Sequence, residues 1–131
     1  MNLLLDTHLL VWAAMNDRRL SRQAIELIDD VENTLWFSTA SLWESAIKAA
    51  LKRPDFPVDV EVLRNGLIAS QFQEMLVEGR HTVAFRDLPL IHKDPFDRLL
   101  VAQALCEGMT LVTVDKVLAQ YGEHVLVVDR G

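Results

Sequence analysis

The sequence holds a single cysteine, Cys106, among 131 residues. That scarcity excludes both a disulfide framework and a metal–thiolate cluster, and because Cys106 lies inside an apolar stretch it is expected to be a buried filler. Glycine is sparse as well: there are five, and none forms a phosphate-cradling loop. No serine or cysteine has the spacing of a nucleophile elbow. The longest uninterrupted apolar run, Leu9 to Met15, is far too short to cross a bilayer. No basic segment leads into an apolar one at the start of the chain, so a cytoplasmic location away from membranes is expected. Lysine and arginine number 13 against 19 aspartate and glutamate, a net charge of −6. This argues against non-specific nucleic-acid binding through a basic surface. It leaves room for a site whose carboxylates are neutralised by divalent metal.

Half of the residues are apolar, enough for a single domain, residues 1–131, to bury one core without staples. Short apolar runs end in polar residues and alternate with helical patterns. Asn2 to Leu5 reads as a strand buried on both faces, followed by a helix from Thr7 to Met15. Leu20 and Ile25 flank a Ser21 N-cap, which opens a helix to about Val31 with Ala24, Ile28 and Val31 on one face. Thr34 to Phe37 is a second strand. A third helix, capped by Ser38 or Thr39, runs to about Lys52, and its Trp43, Ile47, Ala50 and Leu51 form the expected buried stripe. Asp59 caps a helix from Val60 to about Ser70, weakened by Gly66. Phe72 to Val77 is a third strand and Glu78 to Asp87 a polar helix. Asp94 followed by Pro95 is a strong start signal for a helix that is apolar on nearly every side and ends at Gly108. Thr110 to Val114 is a β-branched strand, a short helix reaches Gln120, and Val125 to Val128 closes the chain. The pattern predicts an α/β fold: a short parallel sheet of about four or five strands, flanked by helices on both faces and joined by right-handed crossovers.

In such a sheet, function collects at the carboxyl ends of the strands. Asp6 and Asp115 each end a predicted strand, Asp97 opens the buried helix, and Glu44 lies one turn into the helix after the second strand. Each has an ordinary local role to offer: N-caps for Asp6 and Asp115, dipole complement for Asp97, an exposed i,i+4 partner of Lys48 for Glu44. Four unrelated local roles give no reason for all four acids to share one rim. Carboxylates without cysteine or histidine suit Mg²⁺ or Mn²⁺ rather than zinc, and metal at such a site supports phosphodiester hydrolysis. His8, His81, His92 and His124 are scattered without metal-ligand spacing and read as structural. Lys48, Lys52, Arg53, Arg80, Arg86, Lys93 and Arg98 are available to guide phosphates, although a solvated face is the commoner role. The residues alone leave two other classes open: an aspartyl-phosphate phosphohydrolase with Asp6 as nucleophile, for which His8 stands where a second acid is wanted, and a non-catalytic Mg²⁺-binding regulatory module.

With these stretches in view, the whole chain resembles the PIN domain ribonucleases, and within them the VapC-type toxins of bacterial toxin–antitoxin pairs. LLLDTHLLVW (Leu3–Trp12) is similar to the opening motif, STASLWESAIK (Ser38–Lys48) to the second, HKDPFDRLLVAQA (His92–Ala104) to the most specific one, and LVTVD (Leu111–Asp115) to the last. The resemblance implies that Asp6, Glu44, Asp97 and Asp115 are the catalytic and metal-binding acids, with Thr7, Thr113 and Arg98 supporting them. Asp94 is left as the helix cap. It further implies a Mg²⁺- or Mn²⁺-dependent endoribonuclease acting on an RNA substrate, a homodimer, and a small antitoxin protein that holds it in check. Trp36, Trp43 and Phe56 are apolar residues beyond the needs of a small core, consistent with an interface.

Overall fold

A computed structural model describes residues 1–131. Its strands are β1 (Asn2–Leu5), β2 (Thr34–Ser38), β3 (Gln73–Met75), β4 (Thr110–Thr113) and β5 (Val125–Val127), and its helices are α1 (Thr7–Met15), α2 (Arg22–Asp29), α3 (Thr39–Ala50), α4 (Val60–Ala69), α5 (Gly79–Asp87) and α6 (Pro95–Glu107). The segment Lys116–Tyr121, expected as a short helix, is a 3₁₀ helix. The sheet is parallel throughout in the order β3-β2-β1-β4-β5. The chain therefore builds outward from β1 through β2 to β3, then crosses back to lay β4 on the other side of β1. The switch point lies between β1 and β4, the position at which sheets of this kind form a crevice beyond the strands' carboxyl ends.

Strand β1 is central, and its alternating side chains serve two cores. Leu3 and Leu5 belong to one apolar cluster with Leu9, Leu10, Trp12, Phe37 and Leu63, while Leu4 points the other way and packs with Leu100, Val101, Ala104 and Leu111. The caps are local and follow the sequence. Ser21 accepts from the Ala24 N–H, Asp59 from Glu61 and Val62, and Asp94 Oδ1 from Phe96 and Asp97. Gly108 closes α6 at φ +64°, a left-handed conformation that costs glycine little.

Four expectations about side chains fail. The expected stripe of α3 faces solvent: Trp43 is 62% exposed and Leu51 70%, with Ile47 and Ala50 also outside. The buried face instead carries Ala40, Ser41, Glu44 and Ser45. Small residues let α3 lie close to its neighbours, and their hydroxyls are satisfied, Ser45 Oγ donating to the Ser41 carbonyl at 2.8 Å. Helix α2 stops at Asp29, so Val31 lies beyond the face assigned to it and is 94% exposed. Phe56 is buried rather than available to an interface, because it fills the space under His8 and Lys48. Cys106 is only half-buried, near the carbonyl of Arg80, and its neighbour Leu105 is exposed, so α6 has an outer face near its C-terminus. No helix is long and apolar enough to cross a membrane.

Candidate active site: an acidic crevice

Asp6 leaves β1 as the N-cap of α1 and is almost wholly buried. Its Oδ1 accepts from the Leu9 N–H at 2.9 Å, and its Oδ2 accepts from Thr113 Oγ1 at 2.5 Å, across the β1–β4 switch point. Burial pushes this carboxyl above its ordinary range, against the hydrogen bonds from Thr113 and Leu9. Thr113 Oγ1 also accepts from the Asp115 N–H at 3.0 Å, so one hydroxyl ties Asp6 to the chain carrying the fourth acid. Asp115 is partly exposed. Its Oδ1 caps the 3₁₀ segment through Val117 N–H, and its Oδ2 lies 2.7 Å from His92 Nε2.

Glu44 is only 2% exposed, held inside by the small-residue face of α3. One carboxylate oxygen takes Lys48 Nζ at 2.5 Å; the other is buried without a hydrogen-bond partner. The i,i+4 pair with Lys48 expected on the surface is thus real but inward, with the Lys48 ammonium over the Phe56 ring. Thr7 Oγ1 donates to Ser41 Oγ at 2.9 Å, buried, which pins the start of α1 to the turn of α3 that precedes Glu44.

Asp97, in the first turn of α6, has its carboxyl pushed up to about 8. Burial is the largest cause, followed by the negative charges of Asp94, Asp6, Glu44 and Asp115. The other three acids named from the sequence, together with the Asp94 cap, thus act on a single carboxyl. In the crevice, however, the group whose potential ligand atoms all lie within 4.8 Å of one another is His92, Asp97 and Asp115, and Asp6 and Glu44 do not join it. Sequence spacing gave His92 no role. Its only signal was its position two residues before the Asp94 cap, because the loop bringing it to Asp115 is set by a distant residue: Tyr121 Oη accepts from the Ile91 and His92 N–H groups and donates to the Pro89 carbonyl.

Apart from Lys48, the basic residues do not converge on the crevice. Arg98 turns toward α5: its guanidinium lies 4.4 Å from the centre of the Phe85 ring and donates to the Leu88 carbonyl. Arg53, Arg80 and Arg86 are engaged with neighbouring acids, while Lys52 and Lys93 are exposed. His8 leans toward Asp55, between the Trp12 and Phe56 rings. A concavity of about 520 Å³ between α1, α2 and α4 is lined mainly by apolar side chains such as Ile28, Val62 and Leu67 and contains none of the four acids.

The donor set fits a hard divalent cation. It offers a buried carboxylate oxygen without a partner on Glu44, an Asp97 whose ionised form is disfavoured by neighbouring negative charge, and oxygen donors on Asp6 and Asp115. Fold and crevice together define a doubly wound α/β protein with acids gathered at its switch point. The PIN domain model matches residues 3–124, and the chain belongs to that family. Among solved structures, VapBC2 from Rickettsia felis, bound to a DNA fragment from its promoter, superposes with a TM-score of 0.67 at 18% identity over 100% of both chains. A toxin–antitoxin complex from Klebsiella pneumoniae superposes with 0.63 at 19% identity over 95% of both. A domain of a functionally unknown protein from Methanocaldococcus jannaschii gives 0.60 at 17% identity, covering 98% of this chain and 91% of that one. No curated protein matches the chain.

Proposed function

We propose that this protein is a Mg²⁺- or Mn²⁺-dependent endoribonuclease of the VapC type, the toxin of a toxin–antitoxin pair, with Asp6, Glu44, Asp97 and Asp115 as its catalytic acids. The observation that carries this reading is the state of Asp97: four other carboxylates press on it, and burial leaves it little solvent to answer them. A folded chain retains such repulsion where a cation relieves it. Asp97, Asp115, Asp6 and the free oxygen of Glu44 would hold the ion. When bound, the metal supplies a water of lowered pKa and stabilises the leaving oxygen. Lys48 fixes one Glu44 oxygen and leaves the other toward the crevice, and Thr113 holds Asp6 against rotation. An aspartyl-phosphate route through Asp6 is disfavoured, because that chemistry wants a second acid two residues on and His8 stands there.

The similarity to VapBC2 and to the Klebsiella complex supports a small antitoxin as partner. An arginine or lysine of that partner, placed across the crevice, would answer two carboxylates at once and compete with metal. The exposed Trp43, stacked edge-on against Phe96 at 5.3 Å beside a groove of about 280 Å³, supports a homodimer through α3 and the start of α6. A cytoplasmic location follows from the same reading.

The test is cleavage of RNA by the purified chain. Activity is expected with Mg²⁺ or Mn²⁺, lost in excess chelator, and not restored by Zn²⁺. Cleavage that continues unchanged in chelator refutes the reading.

A further inference from the structure

His92 is constrained at three points, one on its backbone and two on its ring. Its backbone N–H donates to Tyr121 Oη at 3.1 Å, its Nδ1 accepts from the Asp94 N–H at 3.0 Å, and its Nε2 lies 2.7 Å from Asp115 Oδ2 and 3.6 Å from Asp97 Oδ2. An amide N–H can only donate, so Nδ1 is the unprotonated nitrogen and the hydrogen of the neutral ring resides on Nε2. With that hydrogen in place, Nε2 donates to Asp115 and has no lone pair for a metal. Asp94 performs a second task with its side chain, capping the helix that presents Asp97.

We infer that His92 is a positioning residue for the acidic crevice: the Asp94 backbone locks its tautomer, Nε2–H orients Asp115, and the ring stays outside the metal's own ligand set. The inference rests on the proposed metal centre and deepens it. A histidine that entered the ligand set would favour zinc and other imidazole-loving ions, whereas one held back by its tautomer leaves an all-oxygen shell for Mg²⁺ or Mn²⁺. The segment from His92 to Asp97 thus delivers one acid through its helix and steadies another through its ring. The Thr113 hydroxyl links the steadied acid onward to Asp6.

The experiment has two arms on the full chain. In the first, ¹⁵N shifts of the His92 imidazole are recorded without metal and with Mg²⁺. The proton is expected on Nε2 in both, and an unprotonated or metal-bound Nε2 in the loaded protein overturns the inference. In the second, Mn²⁺ affinity is measured by calorimetry for wild type, His92→Ala and His92→Gln. Loss of an orienting partner costs about 10- to 100-fold in metal affinity, so His92→Ala is expected to weaken binding by that factor. Gln keeps a donor and is expected to recover most of the loss. Equal affinity in His92→Ala, or a His92→Gln as weak as His92→Ala, overturns the role. Should His92→Ala not fold, the first arm and His92→Gln decide. A wild-type chain that binds neither ion refutes the metal centre itself, while the tautomer of the metal-free protein is still read independently.

Discussion

The molecule holds two clusters of acids around a histidine, and they are in opposite electrostatic condition. Between α5 and α6, His81 is buried with Nδ1 accepting from the Glu78 N–H at 3.0 Å and Nε2 3.2 Å from Glu107 Oε2, and Arg80 joins Glu78 and Glu107 from outside. Glu107 is held below the ordinary carboxylate range, chiefly by the hydrogen bond from His81. In the crevice, the same backbone-to-Nδ1 arrangement serves His92, yet Asp6 and Asp97 are both pushed upward. One cluster is complete and welds two helices. The other carries more negative charge than the chain itself neutralises, the condition that the proposed metal would relieve.

The largest effect expected from this difference is on activity. Asp97→Asn should abolish RNA cleavage, by on the order of 10²-fold or more, while the metal-free protein melts no lower than wild type because a repelled charge has been removed. Full activity of the folded variant in Mg²⁺ would erase the distinction between the clusters. Next, saturating metal should stabilise the wild type: at a hundredfold excess over Kd the gain is about 2.7 kcal/mol, seen as a rise in Tm that Asp97→Asn largely lacks. Glu107→Gln addresses the completed cluster. It should cost about 1–3 kcal/mol of stability through the lost charge-assisted hydrogen bonds and leave cleavage near wild type; unchanged denaturation midpoints would show that the weld is ornamental.

A separate effect concerns pH. An acid whose folded-state pKa is raised binds its proton more tightly in the native chain, so its contribution is present below the unfolded value, 3.8, and is lost as pH climbs toward about 8. Metal-free protein should therefore lose stability across that window, with a shallower slope in Asp97→Asn and in the presence of Mg²⁺. Equal slopes for wild type and variant, measured by denaturant unfolding at several pH values, would remove Asp97 as the cause.

What was legible in the sequence was local. Strand ends, the Ser21, Asp59 and Asp94 caps and the glycine stop at Gly108 are set by residues within a turn of each other, and short apolar runs named the parallel sheet. The face of α3 was not legible. Periodicity located its apolar stripe correctly, but a helix with a small-residue face packs closest through that face, and Trp43, Ile47 and Leu51 are left outside. Phe56 was misplaced for the converse reason: nothing nearby in sequence announces the pocket made by His8 and Lys48. His92 escaped notice because its position depends on Tyr121, some thirty residues downstream. Arg98, adjacent to Asp97, shows that sequence proximity to a site residue does not aim a side chain, since helix geometry turns it onto Phe85.

The pairing of β1 with β4 has a consequence for synthesis. Asp6 receives its hydrogen bond from Thr113, a residue 107 positions away, and the middle of the sheet cannot close until β4 has been made. Contacts of such separation form late, after the long intervening loop has been gathered in. A nascent chain still on the ribosome, with Asp97 already translated but β4 inside the exit tunnel, has no crevice. Under the proposed function, the site therefore assembles only after Thr113 has left the tunnel, and the time between the synthesis of Asp97 and that of β4 is an interval in which the chain carries its acids without a site.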